Sequence, residues 1–300
     1  MPTQLLLILT AAGFGASPLL ISLAVQHFPP WTLGALRAAL GLPLLLIAAG
    51  LLGRQRIPDG HDLLTALVGG ILVIAVPFVS MAAGMQYIPS GLGGMLYATM
   101  PLFTLLLAAL FLRDEPVTLG QMGRIALGLA GVVLIAGPQF LADGLGQAGL
   151  GTALTLISPL SYAAGNVWFR RRRPVAPLML NAGMFAVGAI AVWPLALLIE
   201  GRVPVEPTPA VLGGLLALVV LATVVPALLN YMLVQRAGAN RAALAMFLMP
   251  GFAVVFGMVF MGERLPLAAF AGLALVIAAT LRLPGRSPGR LPTRRRGKGD

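Results

Sequence analysis

PFVSMAAGMQYIPSGLGGMLYATMPLFTLLLAALFLRD, residues 77–114, finds its counterpart in PALLNYMLVQRAGANRAALAMFLMPGFAVVFGMVFMGE, residues 226–263, at a constant offset of 149 positions. Pro77, Gln86, Met100, Pro101, Phe103 and Phe111 recur as Pro226, Gln235, Met249, Pro250, Phe252 and Phe260, and beyond them Gly123 recurs as Gly272. Asp114 falls opposite Glu263, each closing a long apolar run. Single identities carry little weight in so apolar a chain. Two prolines at the same 24-residue separation, with an acid 13 residues further on, define a period of half the 300 residues. Internal duplication of this length is how many membrane transporters build a pathway between two halves.

The composition agrees. Hydrophobic residues make up 59% of the chain, charged residues only 10%, and the mean hydropathy is +0.95. A water-soluble domain needs far more charge to cover its surface. Cysteine is absent, which excludes a disulfide frame, a thiolate metal site and a cysteine nucleophile. The net charge of +11 forms no basic face; the arginines sit in short loops and at the tail, so a nucleic-acid partner is not expected.

A helix needs about 20 mostly apolar residues to cross the hydrocarbon. Ten such runs are read at 4–25, 32–52, 63–86, 90–112, 118–137, 150–169, 178–199, 210–234, 240–261 and 265–282, separated by turn-forming or charged residues. The fold expected is an all-α membrane protein of ten transmembrane helices. No Lys or Arg precedes the first run, so it reads as a retained helix rather than a cleaved signal. With the loops numbered alternately, 17 of the 20 basic residues fall on the face that holds both termini and two on the other, with Arg37 inside a span. That bias predicts cytoplasmic termini in a plasma membrane. Five crossings per half make the two halves inverted repeats, which predicts a site near the midplane between them. The halves are expected at 1–137 and 150–283, with a linker at 138–149 and a disordered basic tail at 284–300.

Charge inside the spans is almost absent. All nine acidic residues (Asp59, Asp62, Asp114, Glu115, Asp143, Glu200, Glu206, Glu263 and Asp300) lie in loops, at helix ends or at the terminus, so no carboxylate relay for protons or sodium is expected. His27 and His61 fall in loops and read as solvated. Arg37 lies about six residues, or roughly 9 Å, into its span. A guanidinium there either receives a substrate carboxylate or snorkels to the surface and pairs with backbone carbonyls. The candidate lining of a pathway is completed by Ser80, Met81, Tyr97, Ser158, Tyr162, Asn166, Asn181, Asn230 and Tyr231; interhelical hydrogen bonding is the competing role for the polar ones. Ser158, Tyr162 and Asn166 share one helix face at i, i+4 and i+8. Pro77, Pro101, Pro226 and Pro250 lie deep in four spans, at corresponding places of the halves, and predict paired bends that act as hinges. Neither a metal site nor a cofactor motif is present in the sequence, and nothing resembles an enzyme's constellation: no HExxH, no buried acid pair and no histidine within a span.

The repeated segments resemble the EamA-type domain of the drug/metabolite transporter superfamily in its ten-helix, two-domain form. The resemblance is carried by Pro101 through Phe111-Leu112-Arg113-Asp114 with Gln121-Met122-Gly123, and by Pro250 through Phe260-Met261-Gly262-Glu263 with Gly272. Arg37 also matches an arginine common in the family's first repeat. Arg113-Asp114 stands where Gly-Glu is usual, and Met184 lies near the position equivalent to Arg37. The resemblance implies a secondary transporter, similar to bacterial inner-membrane exporters of amino acids and other small neutral or zwitterionic metabolites. The alternative within the superfamily is a carrier of drugs, quaternary ammonium compounds or nucleotide sugars. The partners implied are a small-molecule substrate and the lipid bilayer.

Overall fold

A computed structural model describes residues 1–51, 60–111, 118–144, 146–170, 177–202 and 208–280. These residues form ten helices: α1 (Thr3–Ala24), α2 (Pro30–Leu51), α3 (Gly60–Gly69, a π-helical turn Gly70–Ala75, then Val76–Gly84), α4 (Ser90–Tyr97 and Met100–Phe111) and α5 (Leu119–Asp143) in the first half. The second half holds α6 (Gln147–Arg170), α7 (Pro177–Ile199), α8 (Pro209–Val219, a π-helical turn Val220–Val224, then Val225–Ala237), α9 (Ala239–Met261) and α10 (Leu267–Thr280). Helices satisfy their own backbone groups, the condition for crossing a bilayer. Eight are long and apolar enough to span by themselves; α6 is diluted by Gly, Ser, Thr and Asn, and α10 has 14 described residues. The molecule is an all-α membrane protein of ten transmembrane helices arranged as two inverted five-helix repeats.

Packing follows the duplication. α2 lies on α7 and α5 on α10; α1 packs against α8 and α9, while α6 packs against α3 and α4. Exchanging each helix with the one five places away maps this set of contacts onto itself. Gly13 and Gly15 let α1 approach closely, since a Cβ would fall 2.4 Å from Cγ of Pro226 at the first and 2.6 Å from Cβ of Phe252 at the second. The core between the halves includes Ile21, Phe78, Leu96, Phe185 and Leu218, whereas Ile190, Leu198, Val259 and Phe260 point outward to where lipid would lie.

Two local features depart from the sequence expectation. α5 continues through Pro138 to Asp143, so the expected linker at 138–149 is largely helical. One proline removes one backbone donor, and the capping box between Thr118 and Gln121 already anchors the other end of this 25-residue helix. The four prolines also act differently from one another. Pro77 and Pro226 each follow a π-helical turn at corresponding places of the repeats, where the wider turn accommodates the ring. At Pro101 the helix breaks over Ala98 and Thr99, while α9 runs unbroken through Pro250. The expected tail and the Arg113-Asp114 corner lie outside the described residues.

Candidate functional site

The π-helical turns free a backbone carbonyl in each half, and hydroxyls of the second half collect both. The Thr223 hydroxyl donates to the Leu218 carbonyl at 2.9 Å, and the Ser161 hydroxyl of α6 donates to the Leu72 carbonyl of α3 at 2.7 Å. Thr223 in turn accepts from Nε of Arg37 at 2.8 Å. Nη2 of Arg37 donates to Oγ of Ser17 at 3.0 Å, and its Cζ stands 4.1 Å from the centre of the Phe78 ring. One buried guanidinium thus joins α1, α2, α3 and α8, with 8% of the residue exposed. A guanidinium has five N–H donors. Two are used here, and the remaining three have no hydrogen-bond partner among the described residues.

Arg37 borders a cavity of about 320 Å³ between the halves. Arg37, Met81, Tyr97, Ser158, Tyr162, Asn166, Asn181 and Asn230 all line it, and among the described residues Arg37 is the one charged side chain in that lining. A buried cation without a counter-ion is costly, and an anion is the ligand that relieves the cost. Tyr97 and Tyr162 meet edge to face, with centroids 5.4 Å apart and planes at 73°. Ser158 is buried, and its hydroxyl has no partner among the described residues. The apolar wall is supplied by Met81, Met100, Met246 and Met249 with Phe14 and Phe185, side chains that adapt to different shapes.

The cavity is polarised along the bundle. Asn166 and Asn181 lie four residues from the termini-bearing ends of α6 and α7, and both are partly exposed. Toward the opposite face, Ile21 and Met81 are 1% and 4% exposed. The space reaches toward the face that holds the termini and is sealed at the other.

Ser80 and Tyr231 lie outside the cavity lining, because each is one residue out of register with the helical stripe that faces it. On α3 the lining is Val73, Ile74, Pro77, Phe78 and Met81; on α8 it is Ala222, Thr223, Ala227 and Asn230. Ser80 is buried with no partner for its hydroxyl among the described residues, and Tyr231 is partly buried elsewhere. Of the four prolines, Pro77 alone borders the cavity. Sequence reading passed over Thr223, Phe185 and Met246. Thr223 left one faint signal, a hydroxyl three residues before a mid-span proline, placed to collect a freed carbonyl.

Comparison with known proteins accords with this architecture. The model of the EamA-like transporter family matches residues 1–137 and again 149–283. The chain is 30% identical over 276 residues to the uncharacterized inner membrane transporter YedA of Escherichia coli K12, covering 89% of this chain and 86% of that one. It is 27% identical to a probable terminal-alkyne amino-acid exporter of Streptantibioticus cattleyicolor, covering 95% and 94%. A solved crystal structure at 18% identity superposes with a TM-score of 0.64 over 93% of this chain and 94% of the other, a likeness of fold. With both repeats matched in a ten-helix membrane bundle, this chain belongs to the EamA-like transporter family and is a multi-pass membrane transporter.

Proposed function

We propose that the protein exports amino acids, or similar small neutral or zwitterionic metabolites, from the cytoplasm across the bacterial inner membrane. Arg37 receives the substrate carboxylate, and the two repeats rock to expose the cavity to each face in turn. The observation that carries this reading is a cavity between inverted repeats whose one charged group among the described lining residues is a cation with three unspent donors. Guanidinium forks match carboxylates in shape and charge. The faces of Tyr97 and Tyr162 suit an ammonium group, and the methionine wall tolerates varied side chains. The exporter relative supports an amino-acid substrate, and the arginine bias of the loops supports cytoplasmic termini. In that orientation the cavity faces the cytoplasm. A quaternary ammonium would meet the charge of Arg37 with no acid in the lining to hold it, and a nucleotide sugar would bring more negative charge than one arginine offsets.

Coupling without an Asp/Glu relay belongs to the same reading, since none of the described lining residues is acidic. Uptake and counterflow of labelled amino acids in proteoliposomes, with and without a pH gradient, test it. Saturable flux without the gradient is expected. Flux strictly dependent on the gradient contradicts the missing relay, and no flux for any amino acid removes the substrate class.

A further inference from the structure

Two carboxylates of the second repeat sit on the first turns of two helices of the first. Glu200, just past α7, accepts from the backbone N–H of Trp31 at 2.9 Å through Oε1; through Oε2 it accepts from the N–H of Thr32 at 2.8 Å and its hydroxyl at 2.7 Å. Glu263, just past α9, accepts from the N–H of Ser90 at 2.6 Å through Oε1 and of Gly91 at 2.8 Å through Oε2. Both seats lie on the face opposite the termini, where the cavity is sealed. The first N–H groups of a helix lack intrahelical partners and carry its positive end, so a carboxylate that spans two of them is held firmly.

These helices are equipped to depend on a distant acid. α5 and α8 are capped by their own Thr118 and Thr208. α2 and α4 follow Pro29 and Pro89, whose side chains have no acceptor. The second acid is also aimed by its backbone. Gly262 adopts φ 64° at the end of α9, and the N–H of Glu263 then reaches the Gly257 carbonyl at 3.2 Å. Gly257 leaves room for the carboxylate: a Cβ there would stand 2.3 Å from Oε2 of Glu263. Each capped helix carries a cavity residue about two turns further on, Arg37 on α2 and Tyr97 on α4.

We propose that Glu200 and Glu263 are paired latches that hold the face opposite the termini closed, and that this face opens by withdrawal of both carboxylates from α2 and α4. α2 has a second tie to the bundle, through Arg37 to Ser17 and Thr223. A carboxylate on the unspent donors of Arg37 draws the guanidinium toward the cavity, strains its bonds to Ser17 and Thr223, and so links a filled cavity to a loosened α2. The latches presuppose the alternating access proposed above, but their test needs no substrate, so a wrong substrate class leaves it intact.

The chain has no cysteine, which permits site-directed thiol labelling without background. Ile21→Cys places a thiol in the cavity wall near the sealed face, at a position 1% exposed. A membrane-impermeant maleimide applied to that face of sealed vesicles should react slowly with this variant. Adding Glu200→Gln and Glu263→Gln, which leave one acceptor oxygen each and set an N–H₂ against the helix ends, should raise the rate about tenfold. Gly257→Ala, which keeps both acids but displaces Glu263, should raise it as well. An unchanged rate in the double glutamine variant, with full labelling once dissolved in detergent, overturns the latches. If that variant fails to insert, Glu200→Asp with Glu263→Asp withdraws each charge by one methylene; the same rise is expected, and an unchanged rate is equally contrary.

Discussion

Nε of Arg37 donates to Oγ1 of Thr223 at 2.8 Å, across 186 residues and the interface between the two repeats. The bond ties a buried cation of α2 to the π-helical turn of α8, whose Leu218 carbonyl the same hydroxyl satisfies. Thr223→Val keeps the shape and removes the hydroxyl, leaving both groups unsatisfied. A loss of about 1–3 kcal/mol is expected, read as a lower unfolding temperature in detergent, with Thr223→Ser restoring most of it.

Arg37→Lys preserves charge but not the planar fork. A lysine cannot hold Ser17, Thr223 and a carboxylate with the same geometry, so kcat/KM should fall at least ~10-fold, close to the level of Arg37→Ala. Initial rates in proteoliposomes check this; near-normal transport by the lysine variant would show that charge alone suffices.

Register separates neighbouring residues on α8. Asn230 lines the cavity and Tyr231 does not. Asn230→Ala should raise KM roughly 5-fold, the size of one lost hydrogen bond, while Tyr231→Phe leaves KM unchanged. The same logic holds on α3, where Ser80→Ala should leave transport intact.

Pro226 follows the π-helical turn Val220–Val224. Pro226→Ala restores a backbone donor and favours a regular helix. That shift draws Thr223 out of line with Arg37, so flux should fall, while the restored backbone bond offsets part of the loss and the unfolding temperature drops less than in Thr223→Val. A variant with normal flux would mean that the turn is not needed for transport.

The fold was legible in the sequence because bilayer physics is strict: ten apolar runs, charges confined to loops and a half-length period leave few alternatives. Arg37 stood out because a charge in a span is rare, and Ser158, Tyr162 and Asn166 because their spacing sets one helix face, which does line the cavity. Ser80 and Tyr231 fall one residue off the lining stripes, since a rotation of about 100° per position is finer than span boundaries read from hydropathy. Thr223 and the π-helical turns were hidden because threonine is unremarkable in an apolar helix and a proline signals only that a bend occurs. Glu200 and Glu263 were visible as acids at helix ends, but their partners lie 168–173 residues away and become neighbours only in the folded bundle.

The most direct test of the central claim, that Arg37 holds a substrate carboxylate, is counterflow in proteoliposomes with an amino acid against its methyl ester or amide. Saturable exchange of the free acid, little of the neutralised analogues, and loss of that preference in Arg37→Ala are expected. Equal exchange of acid and ester by the unmodified protein would contradict it.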